Sequence, residues 1–454
     1  MDEQQLQSLK PELDRFVDQY LPLFGRDENH AHARRFVQGL LRGGDRRNAE
    51  NIAEALDGGS VRCLQAFLTT GAWDDVAVLA QLRRDLLAVL ADEDAVWNSD
   101  ETGFPKKGTK SVGVKRQYSG TLGRTDNCQI GVFANYCSPK GHALMDRRLF
   151  LPQEWADDAD RRRQAGVPVD VIFRTKPALA LDMLAQAVAE GVPFRWVGGD
   201  SVYGDNPTFV RGARALGKYY VLDITGDTQV WTRPPQVIAA DQRPRGGRPP
   251  VKPLVVEQRR RVDEIVAALP ATAWRRVAAG EGSQGPRLYE YAEVAVWFCE
   301  DELPGPPERL LVRRSLGQAA ELKYHRAFAP AEQSLEKLAR VRGTRWTIEE
   351  DFQSGKGECG LDEYETRGWA GWHHHTALSL LALAFLVLQK SRLGEKRARA
   401  ERPRSPRPAG APTGRAGVGP RRDPQLVGVA SPAQPKGGGQ PPQAKARRTA
   451  AAAR

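Results

Sequence analysis

Cysteine is scarce in this chain. Five are spread over 454 residues (Cys63, Cys128, Cys137, Cys299 and Cys359), with no CxxC pair. That excludes a disulfide framework and leaves no zinc motif, as expected of a protein in a reducing cytosol. No repeat of fixed period is present. Long apolar runs are also missing. The longest, TALSLLALAFLVLQ from Thr376 to Gln389, is too short to read as a membrane span and reads as a buried core helix. The polar opening MDEQQLQSLKPELD does not resemble a signal peptide, so a cytoplasmic protein with no membrane partner is expected. The body also lacks net charge. The chain carries +11, but Ser391 to Arg454 hold 15 Lys/Arg against 3 Asp/Glu. The preceding 390 residues are therefore close to neutral, and any grip on a polyanion there must come from local clusters.

What is present divides the chain into five parts. Residues 1–92 show apolar positions at helical spacing in LDRFVDQYLPLF, ARRFVQGLL, VRCLQAFL and VAVLAQLRRDLLAVL. They form an expected N-terminal helical domain with basic edges at Arg34, Arg35, Arg42, Arg46 and Arg47. Residues 93–223 change to strand texture: AVWNSD, CQIGVFANYCS and HALMDRRLFLP, then a helix over 177–190, then the strands PFRWVGGD and KYYVLDIT. Three strands, a helix and a further strand, with acids near the first and fourth strands, match the order of an RNase H-like α/β core. Residues 224–340 read as a β-rich insertion with a basic helix in VEQRRRVDEIVAAL. Residues 341–392 resume the core. Residues 393–454 are rich in Pro, Ala, Gly and Arg and are expected to be a disordered basic tail.

Three acids stand out. Asp100 ends a strand candidate in NSDETGFPKKG, and Glu101 beside it should point to the opposite face. Asp200 follows Gly198 and Gly199 in WVGGDSVYG, where glycines leave room for a phosphate or metal. Glu349 lies in RWTIEEDFQSGK, where Glu349, Phe352, Gln353 and Lys356 share one helix face and Glu350 and Asp351 point away. Alone, each acid reads as an ordinary turn or surface residue. Together, three carboxylates from distant segments are the oxygen donors that two Mg²⁺ ions need in phosphoryl transfer. Arg345 and Lys356 would add cations for phosphate oxygens. Lys106, Lys107, Lys110, Lys115 and Arg116 form a basic stretch suited to a DNA backbone. Arg243, Arg245, Arg248 and Arg259 to Arg261 are further candidates. His373, His374 and His375 are consecutive on a helix and cannot all reach one ion.

The run DETGFPKKGTKSVGVKRQYSGTLGRTDNCQIGVF resembles the first catalytic block of bacterial insertion-sequence transposases of the DDE superfamily. GGDSVYG is similar to their second block. RWTIEEDFQSGKGECGLDEYETRGW is similar to their third, with Arg345, Glu349 and Lys356 in an R-x3-E-x6-K spacing. The chain departs from that pattern at two places. Asn98 and Ser99 stand where the family has an apolar strand, and Arg342 stands where the signature begins with Tyr.

The resemblance implies an RNase H-like nuclease core with Asp100, Asp200 and Glu349 as catalytic and metal-binding triad. It also implies two divalent cations, Mg²⁺ with Mn²⁺ able to substitute. Lys106, Lys107, Lys110, Lys115, Arg116, Arg345 and Lys356 are the expected DNA-binding residues. The expected activity is metal-dependent cutting of double-stranded DNA at an element's terminal repeats, followed by strand transfer into target DNA. A homodimer pairing the two ends in a bacterial cell is expected with it. Two other readings stay open: a DNA-binding descendant without chemistry, and an RNase H-like nuclease without strand transfer.

Overall fold

A computed structural model describes residues 3–42, 46–56, 59–120, 123–243, 251–282, 285–317 and 321–401. The described residues fall in one compact unit. Arg245, Arg248 and the tail beyond Glu401 lie outside them.

The N-terminal segment folds as helices α1 (Glu3–Asp18), α2 (Asp27–Leu41), α3 (Ala49–Ala55), α4 (Val61–Thr69) and α5 (Asp75–Leu90). The last is set locally: Asp74 caps it by accepting from the Val76 and Ala77 amides, and Leu79, Leu82, Leu86 and Leu90 are buried along one stripe. These helices are not sealed off by themselves. Their apolar faces share one core with the sheet and with the long final helix.

The strands of the first half are β1 (Val96–Pro105), β2 (Lys115–Ser119), β3 (Arg124–Ser138) and β4 (Gly141–Leu149). Helices α6 (Gln153–Ala156), α7 (Ala159–Ala165) and α8 (Lys176–Ala189) follow. Next come β5 (Trp196–Gly199), α9 (Ser201–Gly204), α10 (Pro207–Ala215) and β6 (Tyr219–Ile224). β1 pairs antiparallel with β3, and β3 with β4, as an antiparallel meander requires. On its other side β1 pairs parallel with β5, and β5 parallel with β6.

The second half adds β7 (Gln229–Trp231), β8 (Val237–Ile238), β9 (Leu254–Val255), β10 (Arg260–Arg261) and α11 (Val262–Ala267). The long strands β11 (Arg275–Gly282), β12 (Gly285–Glu300), β13 (Leu303–Arg314) and β14 (Leu322–Phe328) follow. The chain ends in α12 (Leu335–Gly343), α13 (Trp346–Cys359) and α14 (Trp369–Glu401). The expected basic helix is shorter than the pattern suggested. Arg260 and Arg261 pair with β7 as an edge strand, and the helix starts only at Val262, because the apolar stripe begins there.

The inserted strands do not form a separate sheet. β14 pairs antiparallel with β6, so a single mixed sheet runs β10-β7-β12-β13-β14-β6-β5-β1-β3-β2, with β11 on β12 and β4 on β3. α12 covers one face of the added strands through Leu335 and Leu338 over Val277, Tyr291 and Leu311. α11 covers the other face through Val262 and Ile265.

α14 is long and apolar enough to cross a membrane by length and composition, yet most of that stretch is buried in the protein. It runs past the composition change at Arg392 to Glu401. Its three histidines diverge. His373 meets the Trp369 carbonyl, His374 the Leu68 and Trp73 carbonyls, and His375 the Gly360 carbonyl. The five cysteines are free.

Of the polar residues in β1, Asn98 is accommodated by hydrogen bonds, whereas the Ser99 hydroxyl is buried without a partner among the described residues. Asn98 and Ser99 are fully buried. Asn98 Nδ2 donates to Asn135 Oδ1 at 3.1 Å and lies 3.4 Å from Thr344 Oγ1. Asn135 in turn donates to Asp351, which takes His142 Nδ1 at 2.8 Å. This chain of buried hydrogen bonds fastens α13 to the central strands, where an unpaired amide would cost about 1–3 kcal/mol.

Candidate active site

The parallel register sets the site. β1 and β5 pair as far as Ser99 and Gly199, and β5 and β6 as far as Gly199 and Leu222. The next residue on each strand is an aspartate: Asp100, Asp200 and Asp223. Asp200 and Asp223 thus lie at the carboxyl ends of β5 and β6, where ligand sites collect in such sheets, whereas Asp100, expected to end its strand, lies within β1, which runs on to Pro105 along β3 beyond its parallel pairing with β5.

α13 supplies the fourth acid. Asp100, Asp200, Arg345, Glu349, Phe352, Gln353 and Lys356 line one cleft of about 480 Å³, with Glu101, Thr102 and Gly120 at its border. All four residues expected on one face of α13 are there, because Asp351 is turned inward by Asn135 and His142. Glu350 also points away, with its carboxylate 3.3 Å from His142. Glu101, expected on the opposite face from strand alternation, instead lines the same cleft, because the cavity opens where the parallel pairing ends. Its carboxylate takes Lys176 Nζ at 2.6 Å and the Tyr203 hydroxyl at 3.0 Å.

The glycines before Asp200 have a different use from the one their sequence suggested. A Cβ on Gly198 would lie 2.1 Å from Asn98 Oδ1, and one on Gly199 would meet Tyr203 at 3.1 Å. The room they leave is filled by protein, not kept for a ligand. Asp200 itself caps α9 by accepting from the Val202 amide at 2.9 Å, which fixes one carboxylate oxygen.

Arg345 is the central cation. Its Nη1 donates to Asp100 at 2.9 Å and its Nη2 to Glu349 at 2.7 Å, while Nε lies 3.6 Å from Asp223. Lys356 Nζ donates to Thr102 Oγ1 at 2.8 Å. Even so, acids outnumber cations. Burial pushes the Asp100 carboxyl up to about 8 against the pull of Arg345, and Asp200 and Glu101 add to the rise. Burial and then Glu101 push Asp200 up to about 6. Asp223 goes the other way: burial would raise it, but His325, Arg342 and Arg345 outweigh that and hold it well below the usual carboxylate range.

Asp223 and its partners were not picked out in the sequence. His325 lies 2.8 Å from Asp223, and Arg342 Nη2 donates to it at 3.0 Å. Burial drives His325 down to about 4. The available signal was an acid at the end of KYYVLDIT, the third parallel strand. Arg342, at the position where the signature begins with Tyr, thus anchors Asp223.

The other basic residues divide. Lys107, Lys110 and Arg116 are exposed. Lys115 pairs with Glu154 at 2.6 Å. Lys106 turns inward, donating to the Tyr364 carbonyl at 3.1 Å and lying 3.4 Å over its ring, and burial lowers its ammonium to about 8.

Against known families, the model of the DDE superfamily endonucleases matches residues 19–286. The chain belongs to this family. Asp100, Asp200 and Asp223 lie inside the matched span, while Arg345, Glu349 and Lys356 lie beyond it and join the site through the fold. This DDE endonuclease is also 31% identical over 232 residues to a protein of Microchaete diplosiphon named "Probable transposase for insertion sequence element IS701". That match covers 49% of this chain and 57% of the relative, so the chain spans little more than half its length. Among solved structures, the NurA nuclease from Sulfolobus solfataricus covers 72% of this chain and 93% of its own. At 11% identity and a TM-score of 0.25 that likeness carries no argument.

DDE endonucleases work with divalent metals, and the cleft fits them in donor chemistry: Asp100, Asp200 and Glu349 are all hard oxygen donors on one cavity. Among the described residues no three acids or histidines are grouped closely enough to hold an ion. Arg345 stands between Asp100 and Glu349 and supplies positive charge there instead.

Proposed function

We propose that this protein is an insertion-sequence transposase with an RNase H-like core that cuts double-stranded DNA at the element's terminal repeats and joins the end to target DNA. The observation that carries this reading is the convergence of Asp100, Asp200 and Glu349, from three distant segments, on one cleft with Arg345 and Lys356. The order β4-β3-β1-β5-β6, antiparallel and then parallel, supports the RNase H-like assignment.

Asp100, Asp200 and Glu349 would hold two divalent cations, Mg²⁺ or Mn²⁺. When bound, these supply charge neutralisation at the phosphate and a more acidic water. Asp200, held by the Val202 amide, keeps one oxygen fixed and the other free for the cleft. Arg345 moves from bridging two acids to pairing with phosphate oxygens, for which its planar fork is suited. Lys356 sits about three turns further along α13 and adds a second cation, its ammonium favouring an anionic partner because burial disfavours its charge.

In the first step water attacks phosphorus, the P–O3′ bond breaks, and the departing O3′ takes a proton. In the second step that 3′-hydroxyl attacks a target phosphorus, and the target's own O3′ leaves. Lys107, Lys110 and Arg116, which are exposed, would hold backbone phosphates of the bound duplex. A homodimer would bring two ends together.

The test is cleavage of a labelled duplex carrying the element's end, with Mg²⁺ and with EDTA, by the wild type and by Glu349→Gln. Metal-dependent cutting by the wild type, with a variant that binds but does not cut, is the expected result. Equal binding with no cutting by either in Mg²⁺ or Mn²⁺ would overturn the catalytic reading.

A further inference from the structure

The arginines of the inserted strands are treated differently according to where they lie. On the face away from α12, Arg314 pairs with Glu290 at 2.6 Å and Arg326 with Glu308. On the α12 face, at the end far from the cleft, Arg275 and Arg309 share Glu293 at 3.2 and 3.5 Å. At the near end of that same face the pattern stops. Tyr291 and Arg313 are directly paired across β12 and β13, so Tyr289 and Arg287 share their face. Arg313 lies 4.4 Å over the Tyr289 ring and Arg287 lies 4.6 Å over the Trp346 ring. Among the described residues neither arginine has a carboxylate partner. The Nε of each is buried and without a hydrogen bond.

A guanidinium laid flat on an aromatic ring keeps its N–H edge available for a planar or tetrahedral anion. Two such groups stand on one face. Arg287 and Trp346 border a groove of about 750 Å³ that Lys337 and Arg340 also line. Asp94, the acid on that groove's wall, is already taken by Lys337. Trp346 follows Arg345 in the chain, and Arg342 pairs with Asp223, so the groove and the acidic cleft meet at the start of α13.

We infer that Arg287 and Arg313, with Arg340 on the groove that Arg287 borders, form a second DNA surface that binds backbone phosphates of the duplex leaving the cleft. The identity of the partner rests on the transposase reading above. The surface itself rests on arginines that the protein stacks but does not neutralise.

The experiment is fluorescence anisotropy of a labelled duplex with the full chain in EDTA, across a range of salt concentrations. The proteins are wild type, Arg287→Ala/Arg313→Ala, Arg287→Lys/Arg313→Lys, and Arg276→Ala as a control exposed on the other face. Each phosphate contact contributes about 0.9 to the slope of log affinity against log salt, so the alanine pair should flatten that slope by about 2. The lysine pair should keep it, which separates lost charge from a damaged fold, and Arg276→Ala should not move it. An unchanged slope in the alanine pair overturns the inference, as does an equal loss in the lysine pair. Metal-dependent cutting with an unchanged slope would remove this surface alone. A flattened slope in a protein that never cuts would keep the surface and remove the catalytic reading.

Discussion

Two charge clusters, one buried and one opening to solvent at Glu349, are built to opposite rules. One joins the insertion to the core: Arg214 on α10 and Arg326 on β14 face Glu300 on β12 and Glu308 on β13, with the Tyr220 hydroxyl donating to Glu308 at 2.9 Å. Two cations meet two anions, and every partner is satisfied. The other is the cleft, where the five acids Asp100, Asp200, Glu101, Glu349 and Asp223 outnumber the four cations Arg345, Arg342, Lys176 and Lys356. A balanced cluster holds structure together. An unbalanced one is held together by the rest of the fold and has capacity left for a cation.

The largest effect should come from removing a cleft acid. Asp100→Asn is expected to lower DNA cutting about a thousandfold, the scale on which charge-stabilising groups act at a reaction centre. It should not destabilise the metal-free protein near neutral pH, because burial already favours the uncharged form of Asp100, which asparagine replaces. Cleavage rates together with a denaturant midpoint check both halves, and a clear loss of stability would break the contrast.

Glu308→Gln should do the reverse. The Glu308 side chain is fully buried and bound by two arginines, so the change leaves buried cations underpaired and should cost about 3–5 kcal/mol. Urea unfolding would measure it; a cost under about 1 kcal/mol would mean the cluster is not structural.

Gly198→Ala tests the scaffold between the two. Its Cβ would collide with the Asn98 amide. Overpacking of this kind costs about 1–3 kcal/mol. Combining it with Asn98→Ala should recover part of that loss in a double-mutant cycle, and strict additivity would contradict the contact.

The smallest effect is in pH. Asp100 and Asp200 are raised in the folded protein, to about 8 and about 6. Unfolded carboxyls titrate near 4. The folded state therefore holds extra protons between those values. Stability from these two groups is full below about pH 4 and is lost as pH climbs through 6 to 8. Melting in EDTA should fall over that range for the wild type relative to Asp100→Asn, and Mg²⁺ should narrow the gap. Parallel curves for the two proteins would refute the imbalance.

Much of the cleft could be read from the chain. Asp100 and Asp200 stand at the ends of strand-like runs, and the helical spacing of Glu349, Phe352, Gln353 and Lys356 put one face together before any fold was known. Asp223 could not be found this way. It looks like any strand-end acid until the parallel register of β5 and β6 sets it beside Asp200. Arg342 likewise gains meaning only when α12 brings it to Asp223. Lys106 shows the opposite failure: it sits among exposed lysines in the sequence, yet Tyr364, 258 residues away, draws it inside. The strands β11 and β14 are hard to read because polar residues obscure their alternation, while cross-strand partners stabilise them in the fold.

Sequence alone determined the local facts: the long helical runs, the strands of clear alternation, the helix face shared by Glu349 and Lys356, and that the charge excess lies in the last 64 residues. These depend on neighbours within a few positions, which a periodic pattern records. Only the tertiary structure decided which charges meet. It extended the core sheet into the insertion, set Arg345 between Asp100 and Glu349, neutralised some arginines and left Arg287 and Arg313 on aromatic rings. Those outcomes depend on distances between residues far apart in the chain, and electrostatic and packing energies act over those distances rather than along the sequence.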